Sequence, residues 1–213
     1  MFGGTIYVPV SCQKRYHFIV RHRRSREPNV AINTVEIPCN FVGVFKVGDN
    51  LVFNGGMLCD LAKTNTNGSF NKMIVVQAGS MCEAALSQII YRAQNFNREG
   101  VKNISKADQA EIEGKKIDKF NNVIDVMKKY GVLDELGKEI YDELHKLRKY
   151  RNKVHIEDTI DIEGVSLDES AAFSDQLAAW AVKLNAKILK HLSEKYSRPK
   201  PLDSYVGTLV VPT

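Results

Sequence analysis

The chain has 213 residues, of which 44% are hydrophobic and 26% are charged, with a formal net charge of +5 at pH 7. This composition is typical of a globular protein with a substantial core, and it excludes a disordered chain. The mild positive charge permits an anionic partner without requiring one. No uncharged apolar run reaches membrane-span length and the N-terminus lacks signal-peptide features, so we expect a cytoplasmic protein without a membrane partner.

The four cysteines lie far apart and form no CxxC pair: Cys12, Cys39, Cys59 and Cys82. Their spacing indicates neither a zinc site nor a disulfide framework. We therefore expect reduced, partly buried thiols, and neither a metal nor a cofactor.

Residues 1–69 are rich in β-branched and aromatic residues, and they are predicted to form an N-terminal extension with short strands. The candidate strands are TIYVPVS, YHFIV, NTVEIP and FVGVFKVGDNLVF, and the GDN turn signal predicts a hairpin at residues 47–51. The basic run at residues 21–27 is interpreted as a solvated loop in preference to a nucleic-acid contact.

From residue 70 to residue 197 the pattern becomes helical and predicts a bundle. The predicted helices cover Asn71–Asn95 and residues 115–130, 134–156 and 167–196, and a loop with a short helix covers residues 96–114. Gly131 is well placed to end the second helix. The tail, residues 198–213, is predicted to add an edge strand at residues 205–211. The fold class is therefore mostly α with a small β-containing extension.

The helix predicted at residues 134–156 carries cations among its apolar residues. At 100° per residue, Arg151 falls in the middle of the apolar face, while Arg148 and His155 fall on its edge. A guanidinium in a core must be paired. Glu83 is similarly placed on the apolar face of Asn71–Asn95, so we predict a bidentate Glu83–Arg151 ion pair.

A helix with a central Glu83 and a later helix ending in LRKYRNKVHI resemble the HEPN-like helical domains. In that superfamily the late helix bears an Arg and a His separated by four to six residues, and a polar residue commonly follows the Arg. The resemblance covers residues 71–196 and implies a bundle of four or five helices, often dimeric. In active members it implies metal-independent RNA cleavage by Arg and His from two protomers, as in toxins and phage defence.

Two arginines match different parts of that motif. Arg151 is followed by Asn152 but is separated from His155 by only three residues. Arg148 is separated from His155 by six residues, as in the superfamily, but is followed by Lys149. The sequence therefore leaves open which arginine would act in catalysis.

RNA cleavage by 2′-hydroxyl attack needs an acid, a base and a cation that binds the phosphate. His155 suits the acid or base role near neutral pH. Arg148 or Arg151 would bind the phosphate, and Asn152 would orient it. Since one His and one Arg supply half of this apparatus, we expect a two-fold homodimer with RNA as the substrate.

Four other side chains have plainer roles in this prediction. Lys149 and Lys153 fall on the polar side of the helix, where they would steer RNA at long range. His145 falls on the same side and is interpreted as solvated. Trp180 lies in an apolar helix and is interpreted as a core residue rather than a base-stacking platform.

A structural explanation covers the same helix. Arg151 would pair with Glu83, His155 would satisfy a backbone carbonyl or cap the helix, and Arg148 would lie on the surface. The chain would then be a catalytically inactive HEPN-like module that binds a protein or nucleotide partner. The irregular Arg–His spacing favours this module, and the basic residues around His155 favour the nuclease. An antitoxin or another protein is a candidate partner in addition to RNA.

Overall fold

The computed structural model describes residues 32–154, 162–199 and 205–213. These residues are mostly helical, as predicted, and contain seven α-helices and one two-stranded sheet. In chain order the elements are β1 (Thr34–Pro38), α1 (Phe45–Thr64), α2 (Asn71–Asn95), α3 (Lys106–Ile112), α4 (Phe120–Lys129), α5 (Ile140–Asn152), α6 (Glu169–Ala172), α7 (Asp175–Lys195) and β2 (Thr208–Pro212). A single 3₁₀ turn precedes α5.

Helix α2 lies at the centre of the bundle and packs against α1, α3, α4, α5 and α7. It is long and apolar enough to cross a membrane by composition, but 61% of its most apolar 18-residue window is buried inside the fold. Ala78, Cys82, Ala85 and Leu86 are among its fully buried residues. Such burial is typical of the core helix of a soluble protein.

The sheet joins the two ends of the described chain. Strand β1 pairs antiparallel with β2, and the register aligns Ile37 with Leu209 and Val35 with Val211. Ile37, Leu209 and Val211 are buried on the face that meets the helices, as expected for a sheet with one solvated face. The strand predicted from NTVEIP and the strand predicted in the tail are both confirmed.

The predicted strands and hairpin at residues 47–51 are wrong, because these residues form part of helix α1. The buried residues of α1 recur every three or four positions, which is the helical period: Gly48, Leu51, Gly55, Leu58 and Cys59. Gly48 and Gly55, which resembled turn signals, instead allow close packing of α1, because a Cβ added at either would crowd neighbouring atoms. The buried residues of α1 belong to the same hydrophobic core as those of α2 and α7.

The remaining helix predictions hold with changed ends. Helix α2 has the predicted bounds, and α3 is the short helix expected in the loop. Helix α5 begins later than predicted. Gly137 has φ 101°, a backbone conformation that is incompatible with a right-handed helix, so the helix cannot extend through this residue. The last predicted helix is divided into α6 and α7, where the Ser174 side chain accepts a hydrogen bond from the backbone N–H of Leu177 and starts α7.

Three of the cysteines are free and buried, namely Cys39, Cys59 and Cys82. Burial raises the pKa of Cys39 and of Cys82 to about 12, so both thiols stay protonated at neutral pH. The fourth cysteine, the two strands predicted before residue 21 and the basic run at residues 21–27 lie outside the described residues.

Two adjacent glycines of α1 have opposite surroundings. A Cβ added at Gly55 would lie 2.6 Å from the Val210 carbonyl oxygen, whereas nothing lies within 4 Å of one added at Gly56. Gly56→Ala should raise the free energy of unfolding by about 0.5–1 kcal/mol through lower backbone entropy in the unfolded state. Gly55→Ala should lower it by about 1–3 kcal/mol because β2 must shift. Urea melts measure both, and equal changes would contradict the packing of β2 on α1.

Candidate functional site

The site begins where α5 crosses α2 at Gly79. A Cβ added at Gly79 would lie 2.9 Å from the Arg151 Cβ and 3.6 Å from the Leu147 Cγ. Real Cβ atoms do not approach other atoms so closely without displacing them. The missing side chain therefore brings the end of α5 against α2, with Leu147 fully buried between the helices.

One turn further along α2, Glu83 meets Arg151. The Nη2 group of Arg151 donates a hydrogen bond to the Oε2 atom of Glu83, and its Nη1 group donates to the Asn152 Oδ1 atom at 3.3 Å. The contact expected from the two apolar faces therefore forms. It uses one nitrogen of the guanidinium rather than the predicted bidentate fork. It also lies at the edge of the core, with the side chains of Arg151 and Glu83 33% and 19% exposed.

Arg148 lies one turn before Arg151 and differs from it in its contacts. Its Nε atom is buried and has no hydrogen-bond partner. The salt bridges among the described residues do not include its guanidinium. A buried, unpartnered donor on a half-buried cation is uncommon in native proteins, where most such groups are satisfied. Arg148 thus keeps an unpartnered guanidinium donor, whereas Arg151 pairs with Glu83.

His145 belongs to α5, three residues before Arg148, and its side chain faces Asp125 of α4. Its Nε2 atom is 3.8 Å from the Asp125 Oδ1 atom, and its side chain is half-buried rather than solvated as predicted. Burial lowers the pKa of His145, the charge of Arg148 lowers it further, and Asp125 opposes both. Neutral His145 is therefore favoured beside Arg148.

The two lysines predicted to steer RNA have different surroundings. Lys149 is exposed, as predicted. Lys153 is only 4% exposed, so its prediction as a solvated residue is wrong, and Val154 is exposed where the apolar face was predicted. The reason is that α5 ends at Asn152 and Lys153 has ψ 14°, so the helical period no longer applies.

The structure thus brings together Glu83, Arg151 and Asn152, with Arg148 beside them. His155, the predicted acid or base, lies outside the described residues. Sequence reasoning missed the role of Gly79, although a glycine one turn from a misplaced acid in a long helix is a signal of close helix packing.

Sequence reasoning also missed two buried arginines that hold the chain ends together. Arg92 donates to the carbonyl oxygens of Phe41 and Tyr196, and burial lowers its pKa to about 10, against the opposing charge of Glu99. Arg198 pairs with Glu99 and lies 4.7 Å from the ring centroid of Phe96. Unlike Glu83 and Arg151, Glu99 and Arg198 lie outside the helices, so no helical period marks them as buried.

No family model, curated protein or solved structure matches the chain. Within the residues that the structure describes, no group of three or more His, Cys, Asp or Glu side chains is arranged to hold a metal ion. The HEPN-like assignment therefore stays a prediction from the two helical motifs.

The Glu83–Arg151 pair should contribute to stability in a way that a double-mutant cycle detects. Glu83→Gln and Arg151→Met should each lower the free energy of unfolding by about 1–2 kcal/mol. This is less than the 3–5 kcal/mol of a fully buried pair, because Arg151 keeps solvent contact. The double variant should cost less than the sum, with a coupling of about 1 kcal/mol.

The exposed Lys129–Glu111 pair is the matched control for this cycle. Its coupling should be clearly smaller than that between Glu83 and Arg151, because solvent screens an exposed ion pair. Strictly additive losses at Glu83 and Arg151 in chemical denaturation would contradict a stabilising pair.

Proposed function

We propose that this protein is a metal-independent endoribonuclease of toxin or phage-defence type, in which Arg148 binds the scissile phosphate and His155 acts as acid or base. The observation that carries the proposal is the half-buried Arg148 guanidinium, whose Nε atom has no partner. It lies on the helix that leads toward His155, with the six-residue separation typical of the HEPN-like motif.

The contacts of Arg151 support a division of labour between the two arginines. Arg151 donates from Nη2 to Glu83 on α2 and from Nη1 to Asn152 on its own helix, so both terminal nitrogens are already engaged. Arg148 keeps donors for a phosphate oxygen, and a guanidinium binds that group with charge-assisted hydrogen bonds. Asn152 then serves the fold through Arg151 rather than the phosphate directly.

The proposed reaction needs only proton transfers and charge stabilisation. A base removes the proton of the ribose 2′-hydroxyl, and the 2′-oxygen forms a bond to phosphorus as the bond to the 5′-oxygen breaks. An acid protonates the departing 5′-oxygen, which leaves a 2′,3′-cyclic phosphate and a 5′-hydroxyl. His155 supplies one of these two groups, and Arg148 neutralises the negative charge that gathers on the phosphoryl oxygens.

A second function, a catalytically inactive HEPN-like module that binds a protein partner, is favoured by a different surface. Phe53 and Met57 on α1 and Met73 on α2 are large apolar residues with exposed side chains. The two helices adjoin there, since the Asn54 Oδ1 atom accepts a hydrogen bond of 2.6 Å from Gln77. Exposed apolar patches of this kind mark protein-binding surfaces, and an antitoxin is one partner that would fit.

RNA cleavage by the purified protein in EDTA tests the leading proposal. Wild type should cleave structured RNA and leave cyclic phosphate ends, with a pH dependence that has one limb near the ordinary His pKa of about 6.5. His155→Ala should reduce the rate by about 10²–10⁴, the usual contribution of a positioned acid or base. Arg148→Ala should reduce it similarly while leaving the thermal midpoint of unfolding unchanged.

Arg98→Ala is the matched control, because Arg98 is an exposed arginine outside α5. It should cleave RNA like wild type. Equal cleavage by wild type and by His155→Ala would indicate a contaminating nuclease and would refute the proposal. Loss of folding in His155→Ala, seen by circular dichroism, would favour the inactive module instead.

The proposed chemistry also predicts a two-fold homodimer, because His155 and Arg148 of one protomer supply only half of the groups that the reaction needs. The end of α5 should lie near the two-fold axis, with an interface of about 1,000 Å² or more. Light scattering after size exclusion measures the mass in solution. A monomer at the concentrations that support cleavage would rule out an active site formed by two protomers.

A further inference from the structure

A cleft lies between α5 and α7, beside the loop at residues 164–166. Its volume is about 430 Å³, within the range of small-molecule sites. Lys146 and Tyr150 of α5 line it on one side, and Trp180 of α7 on the other. We call it the Trp180 cleft.

The aromatic wall of the Trp180 cleft is fixed in orientation. The Trp180 Nε1 group donates to the Glu143 Oε1 atom at 3.1 Å, and the ring is only partly buried rather than a core residue as predicted. Lys146 lies with its Nζ atom 4.7 Å from the ring centroid. Because this hydrogen bond fixes the orientation of the indole ring, another aromatic ring can stack on its face without a further loss of side-chain entropy.

Tyr150 brings a polar group to the same cleft. Tyr150 is only 5% exposed as a whole residue, and its ring packs edge-on against Phe173, with the two ring centroids 5.8 Å apart. Burial raises the pKa of Tyr150, so the hydroxyl keeps its proton and donates at neutral pH.

The other polar groups of the cleft are also suited to donate. The Ser166 Oγ atom accepts from the Asp168 N–H at 3.1 Å, and the Ser174 Oγ atom accepts from the Leu177 N–H at 3.3 Å. Each serine oxygen is thus engaged as an acceptor and keeps its hydroxyl hydrogen for another partner. Together with the Lys146 ammonium, these donors favour a ligand with a negatively charged acceptor.

We propose that the Trp180 cleft binds a small aromatic carboxylic acid. Its ring stacks on Trp180, and its carboxylate accepts from the Tyr150 hydroxyl and pairs with the Lys146 ammonium, which moves from the ring face to the carboxylate. This binding site is separate from Arg148 and does not depend on ribonuclease activity.

The chain has a single tryptophan, so its emission reports on this cleft alone. Phenylacetate, titrated into the full-length protein, should change the Trp180 emission saturably and raise the thermal midpoint. Phenylacetamide, which has the same ring but no charge, should bind at least about tenfold more weakly, because a charge-assisted contact is lost. Lys146→Met and Tyr150→Phe should each weaken phenylacetate binding by about tenfold or more.

Lys190→Met is the matched control, because Lys190 lies on the exposed side of α7, where Nζ is 3.9 Å from a carboxylate oxygen of Glu194. It should bind phenylacetate like wild type. The proposal is overturned if neither emission nor thermal midpoint responds up to about 10 mM, tenfold above the dissociation constant of a weak millimolar ligand. Equal affinity for phenylacetate and phenylacetamide, or equal effects of Lys146→Met and Lys190→Met, would overturn it as well.

Discussion

The close approach of α2 and α5 at Gly79 is the constraint on which the site depends. Because position 79 has no side chain, the Arg151 stem lies where a Cβ would otherwise be, and its guanidinium reaches Glu83 one turn away. Helices with larger residues at the crossing are held about 8–10 Å apart. A side chain at position 79 would push the end of α5 away from α2 and would displace the Arg151 stem from its place beside the central helix.

The same constraint divides the charges at the end of α5. The charge of Arg151 is offset by Glu83, whereas Arg148 and Lys149 keep theirs. All three lie near the C-terminal end of the helix, where the backbone dipole stabilises cations and offers carbonyl oxygens rather than N–H groups. A phosphate bound here would therefore depend on side-chain donors alone, unlike the usual phosphate site at a helix N-terminus. This makes the choice of arginine decisive for the proposed chemistry.

The parts of the fold that could be predicted are those with a strong local period. Helix α2 and the Glu83–Arg151 contact follow from apolar residues at helical spacing and from one misplaced acid and base. Helix α1 was missed because Gly48 and Gly55, which allow close packing, resemble turn signals when only the neighbouring residues are considered. Lys153 was misplaced because the helical period was extended past the end of α5. The contact of Arg198 with Glu99 could not be predicted, because both residues lie outside the helices, where no periodic pattern marks a buried face.

The pairing of β1 with β2 has a consequence for how the molecule folds. The register joins Thr34 to Pro212 and Pro38 to Thr208, so the sheet closes a loop that contains all seven described helices. Such long-range pairing carries a large loop-closure cost in the unfolded chain and tends to form late, after contacts between neighbouring helices. During synthesis, the apolar side of β1 and the Gly55 surface of α1 would stay uncovered until residue 212 had left the ribosome. The nascent bundle would expose an unpaired strand edge for that period, which is the kind of surface that chaperones recognise.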